Sequence, residues 1–324
     1  MAADDNSRMT AASLAALPSG AVRLSDWGVI RASGEDARAF LHGQLTQDVL
    51  QLPEGQARLA GFCSAKGRLQ ASFLIWRDGP QDVLMACSND LLPGVLKRLS
   101  LFVLRARCRL ADASSERGLW GLAGGAAASM PGLDASPPVG SVQDLGGGTQ
   151  AIRLHDAAVE GVRVPRWLYM GVDAPLLPVL PLADWLALEV LSGVPRITAA
   201  TAEHFVPQMV NLELVDGVNF RKGCYPGQEV VARSQYRGTL KRRAWAVQAP
   251  QALAPGQEVF HSEDPQQPAG MVVLAGTLAG RHVALVELKI AAAQSGSLHA
   301  GQPDGPVLLK MALPYPVPLE STPD

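Results

Sequence analysis

The stretch Arg221-Lys222-Gly223-Cys224-Tyr225-Pro226-Gly227-Gln228-Glu229-Val230-Val231-Ala232-Arg233 constrains this chain more than any other. It gathers a thiol, an ammonium, a phenol, a carboxamide, carboxylate and guanidinium groups around Gly223, Pro226 and Gly227, which force a tight turn. Pro226 suits the first turn of a helix and Gln228 to Arg233 continue it, which puts Cys224 at or just before a helix N-terminus. The positive helix end and the Lys222 ammonium would both stabilise a thiolate there, so Cys224 and Lys222 form the candidate reactive pair. On residue type alone, a buried cysteine at an ordinary loop-to-helix junction is the alternative.

The rest of the chain reads as a multi-unit α+β protein. At 324 residues, 48% of them hydrophobic and 18% charged, it can bury a sizeable core in two or three domains. A net charge of -2 argues against a whole-surface nucleic-acid or membrane binder and leaves room for a local basic patch. Cys63, Cys87, Cys108 and Cys224 form no CxxC pair and no zinc-type spacing, so no metal site is expected. The polar opening lacks the features of a signal peptide and no apolar run reaches spanning length, which points to a reducing compartment, the bacterial cytosol or one like it.

The hydrophobic pattern predicts short strands at 21–24 and 29–32 with Trp27 in the turn between them, then a helix from Gly34 carrying Ala39, Phe40, Leu45 and Val49. A hairpin follows over 57–64 and 68–76, closed by Ala65-Lys66-Gly67, then a strand at 82–86, a helix at 90–101 and a strand at 103–110. An Ala/Gly/Ser/Pro-rich surface loop spans 126–148. Strands at 149–154 and 162–172 and a helix at 182–191 echo the first half. Short β-type runs from Ala244 onward have the spacing of a small barrel. The resulting division is a disordered start at 1–20, a first α+β unit at 21–112, a second at 113–240, a β-barrel at 241–318 and a tail at 319–324.

Three further groups could carry chemistry. Trp27 and Trp185 offer flat faces for a ring to stack on, with core packing the commoner role for a tryptophan like Trp185 on an amphipathic helix. Arg233, Arg237, Lys241, Arg242 and Arg243 form a basic run able to meet carboxylates or phosphates, or to stand as a solvated strand. Cys63 beside Lys66 is a possible reactive thiol, more ordinarily a half-buried hairpin residue.

With His204-Phe205-Val206-Pro207-Gln208 upstream and Tyr236-Arg237-Gly238-Thr239-Leu240 downstream, the Lys222-to-Glu229 motif resembles that of the YgfZ family of folate-binding proteins, relatives of the glycine-cleavage aminomethyltransferase. The segments 24–27, 43–49 and 63–68 resemble the same family, as do Asp184 to Leu188 and Leu313-Pro314-Tyr315. The resemblance implies two related folate-binding α+β units around a central opening with a C-terminal β-barrel, and tetrahydrofolate or a related folate as cofactor. It implies cofactor-binding roles for Trp27, Trp185, Tyr225, Gln228, Glu229 and Arg233, and a functional role for Cys224. It further implies an accessory factor for assembling or repairing iron-sulphur clusters, including those of tRNA-modifying enzymes. Its partners would be iron-sulphur client or assembly proteins and folate, with no direct DNA and no membrane.

The departures bear on mechanism. The acidic pair that serves transfer chemistry in aminomethyltransferases falls at Ala71 and Ser72. Their pterin-anchoring glutamate falls at Leu191, with Glu189 expected on another side of the helix. The alternative function, a folate-dependent aminomethyl transferase or demethylase, therefore lacks its expected general base.

Overall fold

The computed structural model describes residues 17–236 and 240–319. Two five-stranded antiparallel sheets and a closed six-stranded barrel make up the fold. The first sheet has the order β3 (Ala57–Cys63), β4 (Leu69–Arg77), β5 (Val83–Ser88), β2 (Trp27–Ser33), β6 (Arg109–Asp112). β4 and β5 are buried along nearly their whole length because both faces of this sheet are covered. Helices α1 (Ala37–His42) and α2 (Leu92–Ser100) bury Phe40, Leu41, Val95 and Leu99 in the cluster on one face.

The second sheet runs β1 (Gly20–Arg23), β7 (Gly118–Ala123), β10 (Val162–Gly171), β9 (Thr149–Val159), β8 (Val142–Gly146). The strand expected to open the first unit thus serves as an edge of the second sheet, pairing Ala21 with Leu122. Residue alternation predicts a strand but not its sheet, since a short connection at Leu24 to Asp26 suffices to cross between the two. Helix α4 (Leu182–Leu191) has the predicted bounds and packs against both β9 and the barrel strand β13 (Gly270–Leu278). The barrel closes β11 (Arg242–Ala249), β14 (Arg281–Lys289), β13, β12 (Glu258–His261), β15 (Leu298–Ala300) and β16 (Val307–Met311).

Several expected boundaries move. α1 stops at Gly43, because Leu45 bridges to Phe62 and Thr46 donates its hydroxyl to Gly217 O at 2.6 Å while accepting from Gly61 N. Leu45 and Val49 are buried as expected, but from turns rather than from a helix face. Residues 103–108 are irregular and the strand begins only at Arg109. The 126–148 loop contains part of a short helix, α3 (Gly124–Ala128), and all of β8. Of the expected disordered start at 1–20, Pro18 is buried and Gly20 opens β1, where it pairs with Ala123; residues 1–16 and 320–324 lie outside the described residues. No helix among the described residues is long and apolar enough to cross a membrane.

Candidate functional site

A cavity of about 680 Å³ opens between the two sheets, lined from both and from α4. Its volume falls within the range of small-molecule and cofactor sites. One wall is apolar and aromatic, formed by Trp27, Leu59 and Leu74. The other carries Arg153, His155, Arg166, Glu189 and Arg196.

Those charges are buried and organised. Arg196 donates from Nη2 to Asp26 at 2.7 Å and to Glu189 at 2.8 Å, and from Nη1 to Ser88 Oγ at 3.2 Å. Its guanidinium lies 5.0 Å from the centre of the Trp27 ring. Burial pulls the Arg196 guanidinium down, but the two carboxylates more than offset it and its pKa ends above the ordinary arginine value. Arg166, only 3% exposed, has a single polar partner among the hydrogen bonds described, the His155 carbonyl at 3.1 Å. Burial drives its pKa down to about 10. Arg153 bonds Asp156 and the Arg166 carbonyl. Asp26 Oδ1 and Trp27 Nε1 are buried with no hydrogen-bond partner among the described residues.

Glu189 stands on another side of α4 from Leu191, and that side is the one facing the cavity. It lines the cavity, whereas Leu191 is 2% exposed and belongs to the main core cluster. Two residues on a helix differ by about 200° in direction, so α4 turns its carboxylate to the cavity and its leucine away. Trp185 also sits differently from a stacking platform. It is fully buried behind the wall, with Arg166 5.2 Å from its ring centre, and a Cβ at Gly121 would stand 2.5 Å from its Cε3 atom. Trp27 does line the cavity.

The Cys224 motif borders the cavity without lining it. Its flanks Asn219, Phe220 and Arg221 on one side and Gln235 and Tyr236 on the other are wall residues, and the Phe220 and Tyr236 rings meet edge to face at 5.8 Å. Between them Cys224 is exposed. Helix α5 (Gln228–Tyr236) starts later than expected, with Pro226 in the turn before it, so Tyr225, Pro226 and Gly227 separate the thiol from the helix end. Gly227 adopts φ +78 and a Cβ there would be 2.4 Å from Ser64 O, because the loop lies directly on the β3–β4 hairpin turn. This contact explains why the Cys63-to-Arg68 segment and the Lys222-to-Glu229 segment carry small residues at matching places.

Lys222 is also turned differently from the thiol-facing ammonium expected. It is 8% exposed, and Nζ donates to the carbonyls of Leu45 at 2.8 Å and of His42, holding the loop to the end of α1. Burial lowers its pKa to about 8. Tyr225 lies 5.0 Å below it, buried, with its phenol pushed up by desolvation. Gln228 is half-buried, and the exposed Glu229 pairs with Arg233 at 2.9 Å; none of Tyr225, Gln228, Glu229 and Arg233 is part of the cavity wall.

The basic run is mostly used internally. Arg242 pairs with Glu287 and Arg243 with the buried Glu213, while Arg237 lies outside the described residues. Cys63 is 1% exposed and burial raises its thiol to about 12, which makes it inert. Ala71 is fully buried and Ser72 Oγ accepts from Ile197 N at 2.9 Å, so neither offers an acid or base. Among the described residues no group of three or more His, Cys, Asp or Glu side chains is placed to hold a metal ion.

Sequence reasoning missed the arginine-rich wall because Arg153 and Arg166 sit on separate stretches of β9 and β10 and meet only through strand pairing.

The search against protein-family models returned no match. The chain is 36% identical over 247 residues to the tRNA-modifying protein YgfZ of Edwardsiella ictaluri, covering 70% of each chain. It is 34% identical over 242 residues to the protein of that name from Colwellia psychrerythraea, covering 71% of this chain and 72% of the other. In fold it is similar to the glycine cleavage system aminomethyltransferase T of Bartonella henselae, with a TM-score of 0.71 over 95% of this chain and 88% of that one at 15% identity. With relatives at this level of identity spanning more than two thirds of its length, the chain belongs to the YgfZ family.

Proposed function

We propose that this protein binds tetrahydrofolate or a related folate in the cavity between its sheets and acts in the cytoplasm as an accessory factor for iron-sulphur proteins, tRNA-modifying enzymes among them, through Cys224. The observation that carries the reading is the pairing of Glu189 and Arg196 against Trp27 on the cavity wall. A pterin needs an aromatic face and a carboxylate for its N–H groups, and the glutamate tail of a folate needs cations. Trp27 offers the face, Glu189 the carboxylate, and Arg166 a buried guanidinium with no carboxylate partner among the salt bridges described.

The folate, when bound, would supply one-carbon or redox chemistry. The chain's residues orient it: Arg196 fixes Glu189 through a 2.8 Å bond, and the apolar wall excludes water. The names of the relatives support a role in tRNA modification. The transferase alternative is weakened by Ala71 and Ser72, which leave no general base at the expected place.

Cys224 has the exposure that a partner-facing thiol requires. A single thiolate cannot complete a four-cysteine cluster site, so its contact with a client would be transient. The test is to express Cys224→Ser in cells lacking the protein and to measure several iron-sulphur enzymes and cluster-dependent tRNA modifications. The expected result is loss of support with normal protein levels, because the exposed thiol is free of packing. Full support by Cys224→Ser removes the thiol from the function.

A further inference from the structure

We propose that the cavity selects the polyglutamylated form of its ligand, with the Arg58 and Arg221 guanidiniums at its rim taking the carboxylates of γ-linked glutamates beyond the first. The inference rests on the folate reading of the cavity and adds a chain-length preference to it. The charge of the lining carries it. In a chain with a net charge of -2, the cavity wall holds five arginines against two carboxylates, Glu189 and Asp216. Two of those arginines are already paired, Arg196 with Asp26 and Glu189 and Arg153 with Asp156. Arg58, Arg166 and Arg221 have no carboxylate partner among the salt bridges described, and their hydrogen bonds go to backbone groups or are not among those described. A folate with a single glutamate brings two carboxylates, and each further γ-linked glutamate adds one, so a longer tail matches the cations that the wall leaves over.

Arg58 and Arg221 come to one rim because a single turn, residues 45–48, holds the segments that carry them. Arg58 projects from β3 and donates from Nη1 to the Asp48 carbonyl at 3.2 Å. Beside it Gln47 Nε2 donates to the Leu59 carbonyl at 3.2 Å and to the Asp216 carbonyl at 2.7 Å. On the far side of the turn Asn219 N donates to Thr46 O at 2.9 Å and Lys222 Nζ to Leu45 O at 2.8 Å. Asn219 Oδ1 also accepts from Arg221 N at 2.8 Å, which sets the backbone from which that guanidinium projects. Arg221 is exposed and Arg58 half-buried, whereas Arg166, Arg196 and Glu189 are buried, so the cations run from the inner wall out to solvent. A pterin against Trp27, Glu189 and Arg196 therefore directs the other end of the ligand outward past Arg58 and Arg221. The exposed Asp216 opposes an anionic tail there, and the two guanidiniums outnumber it.

The experiment compares folinic acid, an oxidation-resistant tetrahydrofolate, with its triglutamate by titration calorimetry on the full chain at low and at high salt. The triglutamate should bind about tenfold tighter at low salt. High salt should shrink that advantage, because contacts at an exposed rim are screened. In the double variant Arg58→Met, Arg221→Met the advantage should fall to about twofold, with the affinity for the single-glutamate form nearly unchanged. Arg221→Met alone changes only an exposed side chain and carries the test should the double variant fail to fold; it should lose about threefold for the triglutamate. Equal affinity of wild type for the two forms, an advantage that survives in the variant, or an equal loss for both forms overturns the proposal and leaves the folate reading standing. No binding of either form at millimolar concentration overturns both.

Discussion

Arg196→Met is expected to destabilise the fold by about 3–5 kcal/mol, the usual cost of removing one partner of a buried ion pair. Arg196 and Glu189 are each 6% exposed, and without the guanidinium the Glu189 carboxylate is left in the cavity wall with no cation bonded to it. The variant also uncovers the Trp27 face and frees Asp26. Thermal unfolding should show the loss as a lowered Tm, and a double variant that adds Glu189→Gln should recover a large part of it, because a neutral amide costs less to bury than a lone carboxylate. If Arg196→Met alone matches wild type, the pair is not the organising contact of this wall.

A similar loss is expected at the junction with the barrel. Arg243 and Glu213 each have only 4% of their side chains exposed, and Arg243 also donates to the Gln208 carbonyl at 3.1 Å. The pair joins β11 to the 3₁₀ turn Leu212–Val215, with Tyr315 nearby bonding Gly193 O at 2.6 Å. Arg243→Met should therefore cost about 3–5 kcal/mol, with a pH signature. Burial raises the Glu213 carboxyl and Arg243 opposes that rise, so removing Arg243 raises it further. A carboxyl with a folded value above its unfolded one binds more protons when folded. Its contribution to stability is present below the unfolded value and is lost as pH rises through the folded one. The urea midpoint of Arg243→Met should thus fall short of wild type by more at pH 7.5 than at pH 5. A deficit independent of pH would assign the loss to packing alone.

Much of this fold is legible in the sequence where periodicity is local. α4 has its predicted bounds, and the hairpin around Lys66 forms with that side chain exposed at its tip. What is not legible depends on pairing between distant segments. β1 joins the second sheet through Leu122, and the polar wall assembles from β9, β10, α4 and the loop holding Arg196. The signature motif shows the same division. Its residue types point to a functional loop, but the sequence assigns Lys222 to the thiol, whereas its ammonium meets two carbonyls of a segment some 180 positions away. Lys222, Tyr225 and Gly227 fix the loop to α1 and the hairpin, and Cys224 is what that framework presents to solvent.

The most direct test of the account is a titration of tetrahydrofolate into the protein followed by tryptophan fluorescence. Trp27 is the tryptophan on the cavity wall, so binding should give saturable quenching that weakens strongly in Trp27→Ala and in Glu189→Gln. Each removes a contact worth about 0.5–1.5 kcal/mol, roughly twofold to twelvefold in affinity. No saturable signal from the wild type at millimolar ligand, or equal binding by Glu189→Gln and wild type, would contradict the assignment of the cavity to folate.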